Sequence, residues 1–327
     1  MEKREDDASI LSQLDLHDIE ETLSPPYHTA GPGRPPRSPL GIFKALIVKQ
    51  LRSIPSDREL YRRLWNDEAL REICDIEEHE KPIHPSQLTR FRNRVGPERL
   101  EAVMNRLLEE LVEGGLVKGE RLALDATFIK AWSRRDPADD SHGLSDPESR
   151  VGRDGKTYDL GYKAHVAVDA DSDIPVAVVS ASANDNEKKH APSLIERTKN
   201  VLEKAGARLR SLIADSQYSS KAVRGLVEES VIPYTSNQKG EDIFRVDRRF
   251  RTYGPADDRV KYHKRPLVES VFSFLKDQYG LRVNNVRGLL NVGVYVLLSL
   301  LCGVLNREAA ECLGRPEKAV SPTFFNV

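Results

Sequence analysis

RLALDATFI, residues 121–129, is where the fold declares itself. Upstream of it, apolar residues recur at helical spacing. From it onward, apolar residues crowd into short runs separated by polar or Gly-containing segments, which is the pattern of strands. YKAHVAVDAD (162–171) and IPVAVVSASA (174–183) read as two strands joined by a tight turn at 171–173. RSLIADSQY (210–218) reads as a further strand and VIPYTS (231–236) as the last. Between them, HAPSLIERTKNVLEKAG (190–206) is a helix closed by Gly206, and SKAVRGLVEES (220–230) is a shorter helix. Residues 133–158 are polar and rich in Gly, Pro and Asp, which predicts a flexible loop. A polar, basic stretch follows at 237–265, and a long helix is expected from Leu289 to Leu313. The order predicts an α/β (α+β) chain with a mixed sheet and helices on its faces.

Working back toward the N-terminus, residues 40–117 read as helical throughout. Ser56 is a candidate N-cap with Glu59 three residues on, a capping box. Ser86 is a second candidate cap, and PERLEAVMNRLLEELVEGGL is an amphipathic helix stopped by Gly114 and Gly115. SPPYHTAGPGRPPRSP (24–39) is a linker or extended arm. The expected division is therefore an acidic leader and arm at 1–39, a small all-helical domain at 40–117, a sheet domain at 118–313 and a tail at 314–327.

The 327 residues are 39% hydrophobic and 31% charged with a formal net charge of −1, a soluble globular balance. That neutrality is unlike the basic charge of most nucleic-acid binders. Basic residues nevertheless concentrate in 34–63, 90–99 and 245–265, and a local patch can hold phosphate on a neutral molecule. Cys74, Cys302 and Cys312 are far apart and lack metal-ligand spacing, so they read as reduced thiols of a cytosolic protein. MEKREDDASI is charged and is not a signal peptide. The apolar run at 292–305 is short for a bilayer and reads as a buried helix, so no membrane partner is expected.

Two aspartates are placed alike: Asp125 and Asp215 each follow an apolar β-run. Carboxyl ends of strands project into the ligand crevice of α/β sheets, so neighbouring strands would bring the two together. YHKRPLVESVFSFLK (262–276) supplies a third acid. With Pro266 as the first helical residue, Arg265, Glu269 and Lys276 fall within a narrow arc, and the apolar residues fall elsewhere on the helix. Taken singly, each acid reads first as structural, a turn former, a cap or half of a surface ion pair. Taken jointly, three converging carboxylates repel unless divalent cations join them, and two such ions support phosphoryl transfer.

These residues resemble the Tyr-Arg-Glu-Lys signature of insertion-sequence DDE transposases. Tyr262, Arg265, Glu269 and Lys276 match its spacing at every gap. Asp215 followed by Tyr218 is similar to the family's second-aspartate motif, and Ser216 stands where a glycine is more usual. LALDATFIKAW is similar to the first-aspartate strand, and the stretch from GRPPRSPL to RFRNRVG (33–96) is similar to a helical transposase N-terminal domain. The resemblance spans about 34–312. It implies a ribonuclease-H-like catalytic domain behind a helical DNA-binding domain, in a cytoplasmic, nucleoid-associated prokaryotic enzyme. It implies Asp125, Asp215 and Glu269 as catalytic residues and ligands of two Mg²⁺ or Mn²⁺ ions. It also implies double-stranded DNA as partner, in the form of terminal inverted repeats and target. Synapsis implies a homodimer. Tyr262, Arg265 and Lys276 become DNA contacts near the cut.

Several cations remain open at this level. Arg90 and Arg94 share a helical face, with Arg92 and Asn93 to the side; the helix is either a major-groove reader or a basic surface touching phosphate alone. Arg248 and Arg249, with Lys239, Arg245 and Arg251, form a basic loop expected to contact DNA. Lys163 is either a DNA contact or structural. A structure-specific nuclease of the same fold, or a non-cutting DNA-binding regulator, are the competing functions.

Overall fold

Ser38 caps one helix, and Ser56 caps the next as its sequence predicts. In the computed structural model, each side chain accepts a hydrogen bond from a first-turn backbone N–H, that of Gly41 at 3.4 Å and that of Glu59 at 3.1 Å. The structure describes residues 11, 16–27, 36–238, 243–247, 249–282, 285–312 and 314–315. They divide into two compact units, Met1–Met104 with Phe274–Val327, and Asn105–Ser273.

The first unit is helical: α1 (Leu16–Leu23), α2 (Pro39–Leu51), α3 (Asp57–Asn66), α4 (Glu68–Ile73) and the start of α5 (Pro85–Glu113). Helix α2 is buried along its whole length. The C-terminal helix Leu289–Cys312 and α1 both pack against it. Gln50 donates to Ser299 Oγ at 3.2 Å, inside that contact. The C-terminal helix is long and apolar enough to cross a membrane by length and composition alone, but 78% of its most apolar stretch is buried within the protein. Each fully buried Leu or Phe, such as Leu60, Leu64 and Phe43, contributes about 1.5–3 kcal/mol. Gly41 permits a close approach: a Cβ there would sit 2.7 Å from the Cys74 carbonyl oxygen.

Two local expectations differ. Ser86 lies inside the first turn of α5, and the cap is His84, whose Nδ1 accepts from the Ser86 N–H at 3.2 Å. Helix α5 is also bent at Gly96, whose φ of 67° only glycine adopts freely, with Pro97 next lacking an N–H to restore the ladder.

The second unit carries a six-stranded mixed sheet of β1 (Arg121–Lys130), β2 (Arg150–Asp154), β3 (Thr157–Asp169), β4 (Pro175–Ser182), β5 (Ser211–Ala214) and β6 (Glu229–Val231). Strand β3 is antiparallel to β1, β2 and β4, with β2 and β4 sharing its outer edge end to end. Strands β1, β5 and β6 run parallel. The order is therefore β2-β3-β1-β5-β6 with β4 also on β3, and β3 is the strand that runs against every neighbour. Helix α6 (Ala191–Lys204) lies on β3 and β4, and its chain leaves through Gly206 at φ 77°. Helix α7 (Lys221–Arg224) is a single turn.

Polar composition misleads at two places. Residues 133–158 are not an unstructured loop. Asp146 is buried and accepts from Tyr162 Oη at 2.7 Å, and residues 150–154 form β2. The Asp154-Gly155 pair, with Gly155 at φ 59°, is a hairpin signal that the surrounding polarity hides. Likewise the described residues of the basic stretch, 243–247 and 249–262, form a hairpin of β7 (Arg245–Val246) and β8 (Thr252–Tyr253), followed by helix α8 (Ala256–Tyr262). Helix α9 (Pro266–Asp277) then begins at Pro266 as its chemistry predicts.

Candidate active site

Register sets the first two acids side by side. Strands β1 and β5 pair in parallel up to Leu124 opposite Ala214, so Asp125 and Asp215 are the next residues on neighbouring strands. The sequence places Asp125 near the end of its strand; in the structure β1 runs on to Lys130, held by β3, and only β5 stops at this level. Asp215 ends its strand by capping a 3-10 turn, with Oδ1 accepting from the Gln217 N–H at 2.9 Å. Asp125 Oδ1 accepts from the Ala126 N–H at 2.8 Å.

Arg265 ties the third acid in. Its Nη2 donates to Asp125 Oδ2 at 3.0 Å and its Nη1 to Glu269 Oε1 at 3.0 Å. Arg265 occupies the turn between α8 and α9, and Glu269 lies one helical turn along α9, so the i,i+4 pair on one edge reaches across to β1. The guanidinium is mostly buried at 18% side-chain exposure, while Glu269 is open to solvent at 60%.

Burial pushes the Asp125 carboxyl up to about 6. The Arg265 charge and the Ala126 N–H oppose that rise, and the neighbouring charges of Asp215 and Glu187 add to it. Asp215 is likewise raised by burial, against the pull of Arg265. Tyr262 closes α8, with its ring edge-on to Phe244 at 5.1 Å. Burial raises its hydroxyl to about 12, Arg265 opposes the rise, and the acids reinforce it. A cleft of about 490 Å³ opens here, lined among others by Asp215, Tyr262, Arg265, Glu269, Thr252 and Phe250. Phe250, at the hairpin tip, is 86% exposed.

The donor set suits a hard divalent cation: carboxylate oxygens in a half-buried place where an ionised acid is costly without a counter-charge. Among the described residues no three acidic, histidine or cysteine side chains stand gathered as a ligand set. Instead the Arg265 guanidinium supplies the positive charge between Asp125 and Glu269.

The remaining expected contacts separate by burial. Arg90 and Arg94 are exposed on α5, with Arg94 over the Tyr27 ring at 5.2 Å. Arg92 is buried; it donates to Asp57 through both terminal nitrogens, at 2.5 and 3.4 Å, and Asp57 also pairs with Lys49 at 2.9 Å. Burial alone would raise Asp57, but the Arg92 and Lys49 contacts outweigh it and hold the carboxyl low. Arg92, Lys49 and Lys44, the last on Asp75 at 2.7 Å, are thus committed inside the first unit, which shrinks the basic patch the sequence suggests. Lys163 is similarly committed, to the buried Glu187 at 3.1 Å. Arg249 is exposed beside the hairpin, and Lys276 lies half-buried on α9. Arg248 and Lys239 lie outside the described residues.

Sequence reasoning misses Glu187. It sits on a 3-10 turn between β4 and α6, amid ANDNEKKH, where polarity signals only a surface turn. In the structure it is 7% exposed and its charge acts on Asp125.

A family model described as "Transposase DDE domain" matches residues 118–305, and one described as "Transposase domain" matches residues 4–94. Among solved structures, the chain is similar to a piggyBac transposase synaptic complex with hairpin DNA, at 10% identity and a TM-score of 0.46 over 97% of this chain and 78% of that one. It is also similar to a Mos1 transposase paired-end complex with the left transposon end, at 14% identity and a TM-score of 0.24 over 90% of this chain and 81% of that one.

Proposed function

The chain belongs to the transposase DDE-domain family, and on that premise we propose that Asp125, Asp215 and Glu269 are its catalytic carboxylates. The carrying observation is the coincidence of register and ion pairing: Asp125 and Asp215 adjoin on β1 and β5, and one guanidinium joins Asp125 to Glu269. As a family member the protein is an enzyme that cleaves DNA and transfers the cut strands. Hydrolysis of a phosphodiester frees a 3′-OH, and that hydroxyl then displaces a 3′-oxygen at a target phosphodiester. Both are displacements at phosphorus, so one site serves both steps.

The family uses divalent metal ions, and Asp125, Asp215 and Glu269 would hold two of them, Mg²⁺ or Mn²⁺. When bound, such ions polarise the phosphoryl oxygen, activate the nucleophile and stabilise the leaving oxygen. The chain's own groups hold the acids and the DNA. Strand pairing fixes Asp125, and the capped turn fixes Asp215. Arg265 keeps Asp125 and Glu269 from repelling each other, and it turns to a DNA phosphate when cations take over that task. Tyr262 and Lys276 line the path of the DNA, with Arg90, Arg94, Arg248 and Arg249 adding phosphate contacts. The substrate ends are the terminal inverted repeats of a mobile element, and two copies of the chain bring two ends together.

The test is Asp125→Asn, Asp215→Asn and Glu269→Gln, assayed on labelled terminal-repeat DNA. Strand cleavage is expected to vanish in each while gel-shift binding of the ends persists. Cleavage retained by any of the three removes that residue from the site. Wild-type joining of pre-cut ends to target separates a transposase from a nuclease of the same fold.

A further inference from the structure

Glu187 has no part in the trio, yet the molecule buries it beside two other acids. Placing a third carboxylate where Asp215 already repels it is costly unless something requires it there. Two partners meet it. Lys163 Nζ donates to Oε1 at 3.1 Å, within an ion pair whose side chains are 13% and 9% exposed. The Gln217 amide, oriented with its nitrogen toward the acid, lies 3.0 and 3.1 Å from the two carboxylate oxygens. Gln217 is also the residue whose backbone N–H holds Asp215 Oδ1 at 2.9 Å. One residue therefore grips Glu187 by its side chain and Asp215 by its main chain.

Charge adds a second reason. Around Asp125 the described residues set Asp125, Asp215, Glu187 and Glu269 against Arg265 and Lys163. The site is two positive charges short, a deficit that draws divalent cations. Lys163 uncancelled would fill half of that deficit and compete with the metal for the same field. Resting on the proposed trio, we infer that Glu187 is a positioning residue of the metal site: it cancels Lys163 and, through Gln217, fixes Asp215, so that the acids keep their field for the cation. Glu187 need not touch the ion. Its role is that of the outer partners that orient ligands in metal sites, whose loss costs about 10–100-fold in affinity.

The test titrates DNA-free full-length protein with Mn²⁺ by calorimetry, with folding checked by circular dichroism. Glu187→Gln is expected to weaken Mn²⁺ binding about 10–100-fold. The double variant Lys163→Gln with Glu187→Gln restores the wild-type charge balance and is expected to recover most of that loss, and Lys163→Gln alone is expected to bind Mn²⁺ at least as tightly as wild type, which a merely structural ion pair, broken equally by either single substitution, would not produce. Asp125→Asn serves as reference. If it loses Mn²⁺ while Glu187→Gln binds as wild type, the inference is overturned. If Asp125→Asn itself binds as wild type, the trio has failed instead. Should Glu187→Gln fail to fold because Lys163 is left unpaired, Lys163→Gln decides: Mn²⁺ binding at least as tight as wild type supports the inference, and weakened binding overturns it.

Discussion

Asp125→Asn should make the metal-free protein more stable as well as inactive. Burial lifts the Asp125 carboxyl from an ordinary 3.8 to about 6 even with Arg265 beside it. Each tenfold change in proton affinity is worth about 1.36 kcal/mol, so keeping this acid ionised in the fold costs roughly 3 kcal/mol at most. The sign follows from proton counting. Between about pH 4 and 6 the native state holds a proton that the unfolded chain has released, so stability falls as pH rises through that window and levels off above it. Below about pH 4 both states are protonated and the cost is absent. Asparagine is nearly isosteric and does not titrate. The variant should therefore match wild type near pH 4 and exceed it by up to ~3 kcal/mol at about pH 8. At about 2–4 °C per kcal/mol for a unit of this size, that is a Tm gain of roughly 6–12 °C. Scanning calorimetry or thermal circular dichroism across about pH 4–8, in chelator, measures it. Saturating Mn²⁺ at about 100 times its Kd should add ~2.7 kcal/mol to wild type alone and close the gap. A variant no more stable than wild type at the alkaline end, or a difference that ignores pH, refutes the reasoning.

Arg265→Ala removes the one guanidinium shared by Asp125 and Glu269, and it should destabilise the metal-free protein by about 2–4 kcal/mol, with Mn²⁺ restoring most of the loss in a melting assay. Its cleavage rate should fall as well, and unchanged cleavage kinetics would remove Arg265 from the site. Arg92→Ala should cost about 3 kcal/mol of stability by stranding Asp57, while leaving the salt dependence of end binding as in wild type. Arg90→Ala should do the reverse, leaving the melting point in place and lowering the slope of log K against log salt by about 1. Equal slopes for the two variants would show that burial does not separate these cations.

Local pattern is enough for the elements that carry their own signature. Apolar runs of strand length specify β1, β3, β4 and β5; Ser56 and Pro266 mark where helices begin; Gly206 marks where one ends. The spacing from Tyr262 to Lys276 is legible because a helix converts sequence separation directly into angle, and for the same reason the letters alone put Arg265 and Glu269 on one edge. Where polarity outweighs a short signal, pattern fails. Strand β2 and the hairpin of β7 and β8 are polar, and their pairing is decided by neighbours far along the chain, so 133–158 and 243–262 look like loops.

Only the tertiary structure decides which charges meet. Arg92 and Lys163 look like Arg90 and Lys276 in the sequence, because a cation carries no local mark of whether it ends in solvent or on a buried acid. Glu187 is separated from Asp125 by 62 residues and from Asp215 by 28, and no periodicity spans those gaps. What places it beside them is the return of β4 into α6 and the cap on β5. Side-chain spacing within one element is set by bond geometry, and so it can be read from letters. Proximity between elements is set by how sheets and helices bury their apolar faces, and that is a property of the folded whole.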